Sequence, residues 1–540
     1  MTEPMSHRSP RPAPRTAAPT PLPAAGRPVS RRTLLAAGGA GLGLGALTGC
    51  AGPTGASGPG TLTLALNRSL VSLDNKLNQF DAAVTVQRAV RQALTEIGTD
   101  VKPHLVLAES FEPTADTRWT VRLRPEACYS DGSPVTAQDV AAAVAAYAAT
   151  DASFVMSFFP EVPTVNVVDD RTLTLDTERP LPTLDALMSN LLITPAAANA
   201  PEELQDGLGS GPYRMTFHDR GTGTYTLERN PNYWGEPGLV ETVDVRFQPE
   251  ESSRIIAIRS GEVDVIDSIS PDAAQQLRGL PGIELLETPS LRFNQIFYNF
   301  RKPPGHPLAD PRGRQALSMA IDGETLVNEV LAGTAVQAEG VVTSNQAGYV
   351  KTGEYVYDPG AARKMLAALN AQDLEITIIW ESGEFPGDTF VMEALVEMFG
   401  DIGVRARLQE FQPGGDIMSW RQGRAGDWDL LGNGIPGPTG QAIVMLQGMY
   451  AGTAEKEATR DTYQGYVVPE VTDLIAAAAS EADPVLRQEL TAKAQQAVWD
   501  TWPCAWQFNP KAILAHRRRV RGIDLSPANN YRLTAVDLRS

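Results

Sequence analysis

An α/β fold is predicted for the body of this 540-residue chain. Stretches with apolar side chains at every second position are interleaved with stretches whose apolar positions recur three and four apart. TLTLAL (Thr61 to Leu66), RWTVRLR (Arg118 to Arg124) and RTLTLDT (Arg171 to Thr177) are of the first kind, with the period of a half-buried strand. Helical stretches carry readable starts. In VTAQDVAAAVAAYAA, Thr136 and Asp139 make a capping box, a hydroxyl and a carboxylate serving the orphan N–H groups of the first turn. In DPRGRQALSMAID and DPGAARKMLAAL, Asp310 and Asp358 are N-caps ahead of Pro311 and Pro359 at the first helical position. Leu317, Ala320 and Ile321 follow at helical spacing in one, and Ala362, Met365 and Leu366 in the other.

Ahead of this body stands SRRTLLAAGGAGLGLGALTGC, from Ser30 to Cys50. Crossing a bilayer takes roughly 20 predominantly apolar residues, and the run from Leu34 to Leu47 is shorter and holds five glycines. A basic start, a short apolar run and a small-residue exit are the layout of an export signal, and Arg31-Arg32 is its twin-arginine variant. Leu47-Thr48-Gly49-Cys50 resembles the lipobox of bacterial lipoproteins, which implies lipidation of Cys50 and cleavage before it. A covalent lipid holds a protein at the membrane surface without spanning it. Residues 1–49 are therefore expected to be a signal peptide and residues 50–60 a flexible tether. The mature chain is placed outside the cytoplasm.

The chain has a net charge of −18, and residues 1–49 hold six of its arginines against one glutamate, so the remainder is more acidic still. Such a surface repels phosphate backbones, and nucleic acid is excluded as a partner. Cys128 and Cys504 remain after Cys50. They are expected to be buried free thiols, although an oxidising compartment would also allow them to pair.

The sequence carries none of the common catalytic motifs. There is no H-E-x-x-H, and the five histidines (His7, His104, His218, His306, His516) are scattered singly, so no metal site is indicated. No serine has lysine three residues on, GLGSGPY lacks the spacing of a nucleophile elbow, and no glycine-lysine pair exists for a phosphate loop. Glu381 and Glu384 in WESGEF could serve a glycosidase, but in so acidic a chain such a pair reads first as a solvated surface.

PHLVLAESFE (Pro103 to Glu112) and WTVRLRPEACYSDGSPVTAQDV (Trp119 to Val140) resemble the signature of family 5 of the bacterial extracellular solute-binding proteins, the peptide, nickel and oligosaccharide receptors of ABC importers. GSGPYRM, LERNPNYWGEP, SGEVDVID, DPRGRQALSMAID and YDPGAARKMLAAL fit in the same order across nearly the whole mature chain. These stretches also have plain structural roles. Asp131-Gly132 is a turn former, and Tyr233 and Trp234 offer apolar area to bury.

The resemblance implies a two-lobed periplasmic-binding-protein-like fold of type II, cluster C, with an extra subdomain in the first lobe. Lobe I would span residues 61–298 and return at 500–540, with lobe II at 299–499. It further implies a monomeric, lipid-anchored receptor with no cofactor or nucleotide site of its own, which delivers a small solute to a cognate permease. An exported hydrolase on the same scaffold is the alternative from another class.

Peptide-binding relatives often carry GWxxDYPDP, whose aspartate pairs with the ligand's α-ammonium group; here the segment reads GNGIPGPTGQA, Gly432 to Ala442, and the aspartates are gone. An unpaired charge in a closed cleft costs on the order of 3–5 kcal/mol, more than half of the roughly 8 kcal/mol available to a micromolar ligand. A standard dipeptide therefore needs Glu381 or another acid as substitute. An oligopeptide-like or other polar organic solute is expected, with a metal chelate or an oligosaccharide as alternatives. The ligand-binding candidates lie on loops and strand ends that the family aims at the cleft: Asn294, Gln295, Trp380, Glu381, Asn433, Ile435, Trp502 and Trp506. Tryptophan offers a flat apolar face with one donor, though it also fills cores. Asn294 and Gln295 break an apolar strand with two amides and are the preferred pair.

Overall fold

Twelve strands form the main sheet of the computed structural model, which describes residues 60–539 apart from 71, 78–80, 151–152, 154, 199–207 and 220. Arg31, Arg32, Cys50 and most of the expected tether lie outside the described residues. In chain order the strands are β1 (Thr61–Leu66), β2 (Tyr213–Asp219), β3 (Thr224–Arg229), β4 (Thr242–Phe247), β5 (Val265–Ile266), β6 (Ile283–Pro289), β7 (Phe293–Tyr298), β8 (Ala335–Gln337), β9 (Glu375–Glu381), β10 (Arg405–Phe411), β11 (Leu430–Ile435) and β12 (Cys504–Arg517). Their spatial order is β10-β9-β11-β7-β12-β5-β1-β4-β3-β2, with β6 and β8 also paired to β12.

The local signals act where the sequence puts them. Thr136 Oγ1 accepts from the Asp139 N–H at 3.3 Å, and the Asp139 carboxylate accepts from the Thr136 N–H at 2.8 Å, at the head of the helix Ala137–Ala148. Asp310 and Asp358 cap the helices Pro311–Ser318 and Pro359–Ala368 by accepting from the N–H groups of Arg312 and Ala361 at 2.9 and 2.8 Å. Asp131 accepts from the Ser133 N–H at 2.9 Å, and Gly132 takes a φ of 87°, the left-handed conformation that glycine adopts without strain.

One strand differs from expectation. β1 is buried on both faces and not half-buried. It runs parallel to both β4 and β5 in the middle of its sheet half, and parallel strands in α/β proteins are covered on both sides. Leu62, Leu64 and Leu66 face one apolar cluster with Val243 and Val245, while Ala65 faces another with Ile258 and Ile266. The stretches Arg118–Leu123 and Thr172–Asp176 belong to a separate four-stranded sheet with Ala108–Ala115 and Thr164–Val167.

β12 is shared by the two halves of the main sheet. Its first part pairs with β7, from Phe297 opposite Cys504 to Asn294 opposite Phe508. Its second part pairs with β6, from Pro289 opposite Lys511 to Ile283 opposite Arg517. β7 pairs on its other side with β11. The pairings thus set β7 and Cys504–Phe508 with β9, β10 and β11. Cys128 and Cys504 are free; Cys504 is buried, whereas Cys128 is only half-buried, its thiol donating to the Asn232 carbonyl at 3.1 Å. No helix among the described residues is long and apolar enough to cross a membrane.

Candidate functional site

Where the chain crosses between the sheet halves, Ser290–Arg292 on one strand pair and Asn509–Pro510 within β12, a cleft opens to solvent. One wall comes from the helix Asp81–Val90 (Arg88), the strand Thr95–Ile97 (Glu96, Ile97) and the late segment Pro527 to Asn530. The opposite wall is Pro436-Gly437-Pro438, the loop that leaves β11, and Phe158 of the small subdomain closes one side. Asn190 spans the cleft, its Nδ2 donating to the Pro438 carbonyl at 3.5 Å. Beside it, Ile97, Val101, Ala186 and Leu291 form a small apolar cluster.

Two guanidinium groups face this space. Arg292 is held by Glu384, with Nη2 2.8 Å from Oε1 and 2.9 Å from the Glu384 carbonyl, and the same Oε1 accepts from the Gly434 N–H at 2.9 Å. A Cβ on residue 434 would lie 2.0 Å from Arg292 Nη2, so glycine there makes the ion pair possible. Arg88 sits in the last turn of its helix, where carbonyl ends favour a cation. Its Nη2 donates to the Ser189 carbonyl at 2.9 Å, while its buried Nε has no partner. Burial pulls the Arg88 guanidinium below its ordinary range, and the nearby Glu96 opposes this. Glu96 itself is 3.2 Å from Arg532.

The side chains named from sequence are distributed as follows. Asn294 and Gln295 are both fully buried and, being consecutive on β7, point to opposite faces of the sheet. Gln295 belongs to an internal polar chain. Tyr355 donates to Gln507 Oε1 at 3.1 Å, Gln507 Nε2 to Gln295 Oε1 at 3.2 Å, and Gln295 Nε2 to the Tyr463 hydroxyl at 2.6 Å. Asn433 joins it by donating to the same hydroxyl at 2.7 Å. Burial pushes Tyr463 up to about 12, so it stays protonated. Gln295 and Asn433 are therefore brought together, inside the second sheet half and away from the cleft residues.

Asn294 Oδ1 accepts from Arg292 Nε at 3.3 Å, one bond behind the cleft wall, and its Nδ2 has no partner. Trp380 is buried across from Gly432 in the core. Trp506 is also core, donating to Gln337 Oε1 at 2.9 Å and stacked on Phe508 with ring centres 4.6 Å apart. Trp502, half-buried, packs on Trp499 at 5.5 Å. Ile435 ends β11, next to the loop that lines the cleft. Glu381 is half-buried at the end of β9; burial, then Glu384, raises its carboxyl above the usual range, and Arg68 opposes the shift. The Glu381/Glu384 pair is not a solvated surface, since Glu384 is committed to Arg292. Sequence reading missed Arg88, Glu96 and Arg292. Arg292 had a signal of its own, a lone cation two positions ahead of Asn294 at the head of an apolar strand.

Two sheet halves joined by a shared strand, with a cleft of mixed polar and apolar lining at the crossings, define a two-lobed binding protein for a small solute. The chain belongs to the bacterial extracellular solute-binding proteins, family 5, whose "Middle" profile matches residues 102–457. It is 25% identical over 485 residues to the glutathione-binding protein GsiB of Salmonella typhimurium, covering 86% of this chain and 92% of that protein. The ABC transporter substrate-binding protein CtaP of Listeria monocytogenes superposes with a TM-score of 0.78 at 20% identity, over 89% of this chain and 99% of that one. DppA of Helicobacter pylori, solved in complex with the peptide STSA, gives 0.75 at 19% identity, over 89% and 98%. The family is extracytoplasmic, and its members bind small solutes for ABC permeases.

Proposed function

We propose that this chain is the lipid-anchored, monomeric receptor of an ABC importer, that it closes on a peptide-like polar organic solute, and that it releases the solute chemically unaltered. The observation that carries the reading is the cleft itself, lined from both sheet halves by guanidinium, amide and apolar groups. Such a mixture suits a small zwitterionic or acidic compound with an apolar part. The glutathione-binding relative supports it. We place the hinge at Ser290–Arg292 and Asn509–Pro510, so that lobe II begins with β7 and ends with Phe508. Contacts from both lobes then favour the closed form to the extent that the solute binds it better.

The test is mass spectrometry of the compound co-purified from the native host, followed by thermal-shift screening of peptides, oligosaccharides and metal chelates with product analysis of each hit. A stabilising compound recovered intact is expected; turnover would overturn the receptor reading. Export by the twin-arginine route predicts that replacing Arg31 and Arg32 together by lysine retains the protein in the cytoplasm. Anchoring at Cys50 predicts that Cys50→Ser releases it from the membrane fraction.

A further inference from the structure

We propose that Arg88 receives a carboxylate of the solute, so that the cleft selects a peptide-like acid by its anionic end and makes no demand for a free amino group. The inference rests on the reading of the cleft as the solute site and narrows the class of compound it takes.

The charges facing the cleft are unequal in their commitments. Arg292 is neutralised by Glu384 at 2.8 Å. Arg88 lies within 4 Å of no carboxylate among the described residues, and its one hydrogen bond goes to a neutral carbonyl, that of Ser189. Glu96, the one carboxylate among the described lining residues, is engaged by Arg532. A ligand ammonium entering here would meet no uncommitted acid, whereas a ligand carboxylate would meet a guanidinium whose planar fork matches it. A half-buried cation with a carbonyl as its sole partner is incompletely compensated, and an incoming anion completes it. The segment Gly432 to Ala442, which carries no acidic residue, fits the same picture where Pro436-Gly437-Pro438 lines the cleft. The remaining wall, with Ile97, Phe158 and Leu291, suits an apolar side group on the acid.

The experiment uses calorimetry and thermal shift on the mature chain with N-acetyl dipeptides of several side-chain types, each as free acid and as carboxamide, and with the corresponding free-amine dipeptides. The wild type is expected to bind acids more tightly than amides by roughly 10- to 100-fold, the range for a hydrogen bond to a charged group, and to bind N-acetyl and free-amine acids about equally. Arg88→Gln should abolish the preference for acids, Arg88→Lys should keep part of it, and Glu96→Gln should enlarge it by removing the opposing charge. Equal binding of acids and amides by the wild type, or a preference that survives Arg88→Gln, would overturn the assignment while the receptor reading stands. Should no form of any peptide raise the melting temperature, the peptide-like reading falls and takes the assignment with it. If Arg88→Gln does not fold, the Glu96→Gln and Arg88→Lys comparisons decide the matter in the same way.

Discussion

Arg519 grips Asp264 with two parallel bonds, Nε to Oδ1 at 2.6 Å and Nη2 to Oδ2 at 2.7 Å, and the carboxylate they hold has no exposed surface. Asp264 Oδ2 also accepts from the Thr63 N–H at 3.0 Å, and Arg519 reaches the Thr61 carbonyl at 3.1 Å. One ion pair thus fastens the late part of the chain to β1. Removing Asp264 leaves Arg519, 21% exposed, without its charge partner, at a cost of about 1–3 kcal/mol. Asp264→Ala should lose this much in urea unfolding while the surviving folded fraction binds solute with unchanged affinity.

Gln295 is committed to an internal chain of amides and a hydroxyl. Gln295→Ala strips the Tyr463 hydroxyl of one donor and leaves the Gln507 amide without its acceptor. Unsatisfied buried groups of this kind cost about 1–3 kcal/mol each. The variant should melt lower and bind as before. Asn294→Ala should be milder, because it removes only the 3.3 Å bond from Arg292 Nε and Asn294 Nδ2 has no partner among the described residues to lose. Calorimetry that found weaker solute binding in Gln295→Ala would contradict this placement.

Glu384 ties the crossing at Arg292 to the end of β11. Glu384→Ala should lower stability by about 1–3 kcal/mol, the range for a hydrogen-bonded charge left unmatched. It also frees a second guanidinium in the cleft. Anionic compounds should therefore raise the melting temperature of this variant more than that of the wild type, and high salt should remove the difference.

His306 predicts a pH dependence. Its Nδ1 accepts from the Leu308 N–H at 3.2 Å, which requires a neutral ring at that nitrogen. Burial lowers its proton affinity, against the pull of Asp429. With the folded value below the unfolded one, the unfolded chain binds more protons between the two, so stability is full above the unfolded value and lost as pH falls through the folded one. Melting temperatures measured from pH 7.5 downward should fall less steeply in His306→Asn, whose amide oxygen can accept the same N–H without titrating.

What was legible in the sequence was local. The capping box at Thr136 and Asp139 and the caps at Asp310 and Asp358 act within three residues of themselves, so no distant part of the chain can overrule them. The cleft is assembled from Arg88, Arg292, Pro436 and Asn530, positions with no neighbourhood in sequence. Asn294 and Gln295 looked like ligand contacts because two amides interrupt an apolar strand. A strand covered on both faces can use such amides internally, and the period of two made it impossible for both to face one cleft. Trp380 and Trp506 lie in the core because a large ring contributes most where it is fully surrounded.

The shared strand has a consequence for how the molecule is made. A ribosome delivers β1 early and Cys504–Arg517 late, yet β12 stands between β7 and β5 in the finished sheet. The first half cannot complete its hydrogen bonding until position 517 has emerged, nor the second until position 510, so the growing polypeptide carries long, unsatisfied strand edges for most of its synthesis. Pairings of such high sequence separation form slowly and leave nascent chains open to aggregation. Ribosome-bound intermediates ending before residue 504 should be protease-sensitive in both halves of the main sheet, and they are the form in which a holdase chaperone would find its client.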